Sequence, residues 1–230
     1  MIVIKIGIID SGLGAISFLN YLISNKKYST YYLLLDYNFN PYGNKNEKIL
    51  YDRLINNIEF LKKKGCNEII LACNTLSVIA VKHNIAVITP INCFKEIIRK
   101  EFDNNSILMA TTFTIKSNIY KTNNSISSEL VNYIEGNKPI KINNELNKLE
   151  KYKKIFFGCT HYGLIKNKLK DKIIFDSAKI LADNLIANNS KLKVTIYVTK
   201  YNINIKNHLL YYIHLNKFTI KMINMNNKKD

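Results

Sequence analysis

With 230 residues, 47% of them hydrophobic and 22% charged, the chain is long enough to build one large α/β core or two small ones, which excludes a disordered segment or a peptide-scale scaffold. Thirty-four Lys and Arg against seventeen Asp and Glu give a formal charge of +17, a balance that on its own points to nucleic acid or an anionic membrane surface. Only Arg53 and Arg99 carry the planar fork suited to phosphates and base edges; the other 32 are lysines scattered among 33 asparagines, which reads as solvated surface and leaves a nucleic-acid partner unexpected.

Short β-branched runs alternate with helical patterns, as in parallel sheets covered by helices. Ile2 to Ile9 reads as a strand, followed by the loop Asp10 to Ala15 (DSGLGA) and an apolar helix through Ile23. Tyr31 to Leu35 is a second strand, followed by a polar loop. A helix from about Glu47 then carries Ile49, Leu54, Ile58 and Leu61 at helical spacing and stops at Gly65. Glu68 to Ala72 reads as a third strand, Thr75 to Val81 as a helix, and Ile85 to Ile88 as a fourth strand ending at Pro90. The pattern then restarts, with strands at Ser106 to Met109, Ile155 to Phe157, Ile173 to Phe175 and Val194 to Val198. Between the first two of these lies a polar stretch, about Lys121 to Lys154, with one amphipathic helix marked by Leu130, Val131 and Ile134. Two successive sets predict two similar α/β lobes: residues 1–93 with 200–230, and residues 94–199.

The most apolar stretch, Ile69 to Val81, is interrupted by Asn74, Thr75 and Ser77, so no span of about 18 apolar residues is present and no membrane partner is expected. The N-terminal apolar stretch is broken by Lys5 and Asp10 and reads as no secretory signal. The expected location is therefore cytoplasmic, with Cys66, Cys73, Cys93 and Cys159 reduced.

The clearest internal echo is EIILACNT (Glu68 to Thr75) against KIFFGCTH (Lys154 to His161). In each, an apolar strand ends in a cysteine followed at once by hydrogen-bonding residues, at the strand end where parallel α/β sheets bind ligands. Asp10-Ser11, Pro41-Tyr42-Gly43 and Asp176-Ser177 also follow strands. Two thiols in one cleft suggest a disulfide, a zinc site, a Cys/His nucleophile or two-base proton transfer. Compartment disfavours the disulfide, and the absence of CxxC or HxxxH spacing disfavours a metal. A Cys159/His161 nucleophile leaves Cys73 unexplained. Proton transfer uses both, one thiolate removing a proton while the other thiol delivers one.

The segments Ile6 to Leu19 (IGIIDSGLGAISFL), Asn40 to Ile49 (NPYGNKNEKI), Leu71 to Ala80 (LACNTLSVIA), Ala110 to Tyr120 (ATTFTIKSNIY), Phe157 to Ile165 (FGCTHYGLI) and Phe175 to Ala182 (FDSAKILA) resemble, in order, the signature segments of the glutamate racemases. The resemblance implies the fold of the cofactor-independent aspartate/glutamate racemases: two pseudo-symmetric lobes, each a mainly parallel sheet flanked by helices, with the site between them. It also implies interconversion of L- and D-glutamate for peptidoglycan, no cofactor, no metal, and a homodimer. By position it makes Cys73 and Cys159 the acid/base thiols, with Asp10 beside the first and His161 beside the second. It matches Glu135, within Ile126 to Gly136, to a second-lobe catalytic glutamate. Substrate contacts would come from Asp10, Ser11, Tyr42, Gly43, Asn74, Thr75, Thr160 and His161, joined by Thr112 or Thr114. Departures from the pattern are Ala15 for a glycine, Ser127-Ser128 for Cys-Pro, Gly163 for a proline, and Tyr37-Asn38-Phe39-Asn40 after Asp36. Two other readings compete: a racemase of aspartate or of broader specificity, and a non-catalytic relative that binds nucleic acid.

Overall fold

A computed structural model describes residues 4–186 and 191–225. Within them, β1 (Lys5–Asp10), α1 (Gly14–Ser24), β2 (Thr30–Leu35), α2 (Glu47–Lys63), β3 (Glu68–Leu71), α3 (Asn74–Lys82) and α4 (Ile91–Glu101) follow one another. Then come β4 (Ser106–Ala110), α5 (Thr112–Lys116), β5 (Ser125–Ser127), α6 (Leu130–Glu135), α7 (Pro139–Asn147), β6 (Lys154–Gly158), β7 (Ile173–Asp176) and α8 (Ser177–Asn184). The last elements are β8 (Lys193–Val198), α9 (Ile203–Tyr212) and β9 (Thr219–Met222), and 3-10 turns occupy Tyr42–Asn44 and Thr160–Lys168.

The local sequence accounts for the better-defined helices. Asn46 caps α2 by accepting from the Ile49 N–H; Glu47 lies in the first turn, Lys62 and Lys63 in the last, matching the helix dipole. Leu50, Leu54, Ile58 and Leu61 are its buried stripe, and each contributes about 1.5–3 kcal/mol on burial. Gly65, at φ +82°, ends the helix in the left-handed region that glycine adopts without strain.

All strand pairings are parallel. One sheet has the order β3-β1-β2-β8-β9 and the other β5-β4-β6-β7. These are the two α/β lobes expected. Their inner faces share one apolar core, in which Ile8 and Leu33 of the first sheet and Met109 and Phe157 of the second cluster with Ile16, Phe18 and Leu19 of α1. α1 is sandwiched rather than half exposed, which explains why seven of its eleven residues are buried. The outer faces have their own cores. Leu54 and Leu76 pack with Ile9 and Leu71, while Phe94 packs with Leu108 and Phe156.

Ile2 and Val3 of the first strand lie outside the described residues. Three expectations change. The strand expected at Ile85 to Ile88 shrinks to a single parallel bridge, Ile70 to Ile88, because Pro90 immediately turns the chain into α4. The polar stretch after Lys121 holds β5, α6 and α7 rather than one helix. Finally, β8, placed by the sequence in the second lobe (94–199), pairs along its whole length with β2, from Thr30↔Lys193 to Leu35↔Val198. Its apolar residues fit either sheet; adjacency to β2 decides.

Candidate active site

The parallel registers put the carboxyl ends of both sheets at one cleft. Asp10 closes β1 beside Leu35, Cys73 follows β3 and caps α3, and Cys159 follows β6, whose Gly158 pairs with Ala110. Ser11, Tyr42, Gly43, Cys73, Asn74, Thr75, Cys159, Thr160 and His161 all line one small cavity, so nine of the expected site residues converge. Its volume is about 10 Å³, room for about one water, so the cleft is shut.

Asp10 is fully buried and crosses the cleft: its Oδ1 accepts from the Gly12 N–H at 3.0 Å, and its Oδ2 from the Thr160 hydroxyl at 2.9 Å. Burial raises its pKa above the ordinary carboxylate value against the pull of His161, the Gly12 N–H and Thr160. Burial, and then the Asp10 charge, push the Cys73 thiol well above its usual value, only partly offset by the N–H groups of Leu76 and Thr75 at the start of α3. Cys73 is thus held as a thiol, a proton donor, in this shut state.

The opposite side differs. Cys159 Sγ lies 3.9 Å from His161 Nδ1, and His161 Nε2 lies 2.9 Å from Glu135 Oε1. Burial would lower the imidazole, but Cys159, Glu135 and Asp10 together raise it well above its ordinary value. A protonated imidazole therefore stands beside Cys159. Glu135 Oε1 also accepts from the Leu13 N–H at 2.8 Å and Asn40 Nδ2 at 2.9 Å. Glu135 is outside the small cavity but in direct contact with the imidazole that lines it.

Some expected contacts are already engaged. The Tyr42 hydroxyl donates to Asp36 at 2.6 Å and accepts from Asn57 at 3.0 Å, inside a buried cluster where Arg53 holds Asp36 at 2.9 Å. Tyr42 therefore offers the cavity its ring and backbone. Asn74 donates to Ser177 at 2.9 Å and accepts from Tyr120, tying α3 to the second lobe. Of the threonines, Thr111 lines the cavity, bonding Thr75 at 3.0 Å and Thr114 at 3.1 Å; Thr114 is buried behind it and Thr112 is half-buried away from it. Thr111 was missed although it follows β4 directly, the strand-end position that singles out the other site residues. Asn40, also missed, has no such signal. Gly163, where a proline is usual, leaves space filled by Asp176 and Ser17: a Cβ there would come within 2.5 Å of both. Among the described residues, no three His, Cys, Asp or Glu side chains converge as a metal set, and no helix is long and apolar enough to cross a membrane.

No protein-family model matches the chain. It is 30% identical over 257 aligned residues to the glutamate racemase of Buchnera aphidicola subsp. Schizaphis graminum, covering 95% of this chain and 99% of that one. A glutamate racemase isoform of Bacillus anthracis superposes with a TM-score of 0.80 at 19% identity, over 96% of this chain and 97% of that chain. The glutamate racemase of Francisella tularensis, solved in complex with D-glutamate, superposes with a TM-score of 0.79 at 22% identity, over 97% and 98%.

Proposed function

The chain belongs to the glutamate racemase family, and on that premise we propose that it interconverts L- and D-glutamate by moving the Cα proton between Cys73 and Cys159 without a cofactor, supplying D-glutamate for peptidoglycan. The observation that carries this reading is that the two thiols, one from each sheet, line the same cavity. The Francisella relative that holds D-glutamate supports glutamate as the substrate.

The chemistry follows from the surroundings. An α-proton beside an ionised carboxylate is weakly acidic, so the developing negative charge needs donors in a closed, water-poor site. Ser11, Thr75, Thr111 and Thr160 supply hydroxyls around the cavity, and Gly43 supplies a close-packed backbone. In one direction Cys159, beside the His161 cation, takes the proton from one face, and Cys73 as a thiol gives one to the other. In the reverse direction the roles exchange, with the Asp10 charge acting on Cys73 as the His161 cation acts on Cys159. Asp10 and His161, each with a raised pKa, are matched to that exchange.

Purified protein in D₂O, with no added cofactor, is expected to place deuterium at Cα starting from either enantiomer of glutamate. Cys73→Ala and Cys159→Ala are each expected to lose overall racemisation by about a thousandfold. Near-parent turnover in either variant overturns the two-thiol mechanism, and faster turnover of L-aspartate than of L-glutamate overturns the substrate.

A further inference from the structure

One oxygen of Glu135 is held by three groups. His161 Nε2 is 2.9 Å away, the Leu13 N–H donates at 2.8 Å, and Asn40 Nδ2 donates at 2.9 Å. Leu13 and Asn40 belong to the first lobe; Glu135 and His161 belong to the second. Asn40 is the only side chain of the first lobe among those three partners, and it immediately precedes Pro41, Tyr42 and Gly43, which line the thiol cavity. The contact has been given room: a Cβ at Gly12 would lie 2.0 Å from Glu135 Oε1 and 2.5 Å from Asn40 Nδ2. Asn40 itself does not line the thiol cavity, so whatever it does there passes through Glu135.

We infer that Asn40 is a positioning residue of the racemisation reaction, which, when the lobes shut, turns Glu135 onto His161 and so holds the imidazole beside Cys159. The geometry carries the inference. A carboxylate with two donors fixed from the opposite lobe has one orientation, and that orientation points the shared oxygen at His161. When the lobes part, both donors leave with the first lobe and Glu135 is released. The imidazole is thereby set only in the shut form, where the chemistry occurs. This inference rests on the two-thiol reading above.

The ionisable groups around this contact are Asp10 from β1, Tyr37 from the loop after β2, His161 and Cys159 after β6, and Tyr212 from α9; Lys200 and His208 share with Glu135 a shallow pocket on its outer side. Glu135 is one of the groups that keeps His161 protonated. Asn40→Ala lets the carboxylate swing away, so His161 loses its proton at lower pH and the alkaline limb of the pH profile of kcat moves down. Asn40→Asp puts a second carboxylate in the same place and repels Glu135 from its seat, so the alkaline limb moves down here too. Both variants lower kcat by about tenfold, with KM within about twofold of the parent, because Asn40 does not line the cavity.

The experiment is the pH dependence of kcat and KM for L- and D-glutamate with parent, Asn40→Ala and Asn40→Asp, together with the melting temperature of each. Downward displacement of the alkaline limb in both variants, with near-parent melting, is the expected result. Unchanged limbs in both variants, a loss expressed in KM alone, or loss of fold in both overturn the inference, the last by making Asn40 structural. If the parent itself does not racemise glutamate, the proposed function fails instead, and the two failures are thereby distinguished.

Discussion

Asp176, at the end of β7, shows what burial does to a single carboxyl in this fold. Burial pushes it up to about 6 from 3.8, against the Tyr21 hydroxyl at 2.7 Å, the Ala178 and Lys179 N–H groups and the Lys166 charge. A raised folded-state pKa means that the native protein binds this proton more tightly than the unfolded chain does. Its contribution to stability is therefore fully present below about pH 4 and is lost as pH rises through about 6. Asp176→Asn keeps an acceptor for the Ala178 N–H that starts α8 but cannot ionise. Denaturant titrations at about pH 4 and about pH 7 are expected to show the parent losing more stability between the two than the variant, by on the order of 3 kcal/mol. Equal losses would mean that Asp176 is not the titrating group. The same residue shows how far single positions could be read. Asp176 and Ser177 stood out as polar residues after a strand, but the partner Tyr21, 155 positions away, is brought to Asp176 only by the packing of α1 against α8.

At the level of elements, the loop between β1 and α1 does the most with the fewest side chains. It supplies the Gly12 N–H to Asp10 and the Leu13 N–H to Glu135, and Gly12, with Gly14 opening α1, leaves room for Glu135, Asn40 and Thr160 to approach. Gly12→Ala would place a methyl where Glu135 Oε1 and Asn40 now sit, displacing the carboxylate that contacts His161. Misplacement by about 1 Å costs about a hundredfold, so turnover is expected to fall by roughly that factor while the circular dichroism spectrum stays at parent shape. Turnover within a factor of two of the parent would show that the loop has slack. The strand-loop-helix units themselves were legible because their signals are local: Asn46 and Gly65 bracket α2, and both thiols follow β-branched or aromatic runs. Elements that depend on distant partners were not. β8 joins β2 rather than the second sheet, β9 pairs only with β8, and the Ile85 to Ile88 segment touches β3 through one residue before Pro90 diverts it. Thr111 was displaced by one position because the boundary between β4 and α5 is set by its own cap: its side chain accepts from the Thr114 N–H.

For the molecule as a whole, the shut cavity of about 10 Å³ cannot admit a five-carbon dicarboxylate, so the lobes must part to load substrate. Bonds that cross the cleft, from Asp10 to Thr160, Asn74 to Ser177 and Thr75 to Thr111, hold it closed and must break together. The thiols are 7% and 6% exposed, so alkylation of Cys73 and Cys159 reports opening. Saturating D-glutamate is expected to slow their reaction with iodoacetamide by about tenfold, read by peptide mass mapping, with Cys66 and Cys93 as internal references. Equal slowing at all four cysteines would instead indicate general stabilisation. Among the described residues neither Lys nor Arg lines the thiol cavity, whose polarity comes from hydroxyls, an amide and one imidazole.

The sequence by itself determined the two-lobe α/β class and the two strand-end cysteines, whereas Asp10 and His161 as their companions came from the resemblance to the glutamate racemases. The class and the cysteines rest on periodicity and on residue chemistry at strand ends, and the resemblance on motif order, all of which are properties of short segments. Only the tertiary structure decided which sheet takes β8, that Tyr42 and Asn74 spend their polar groups on Asp36, Ser177 and Tyr120, and that Asn40 reaches Glu135 across 95 positions. The physical reason is the same in each case. A hydrogen bond between distant segments exists only once the apolar core around α1 has brought the two sheets together, and no local pattern encodes which donor will then face which acceptor.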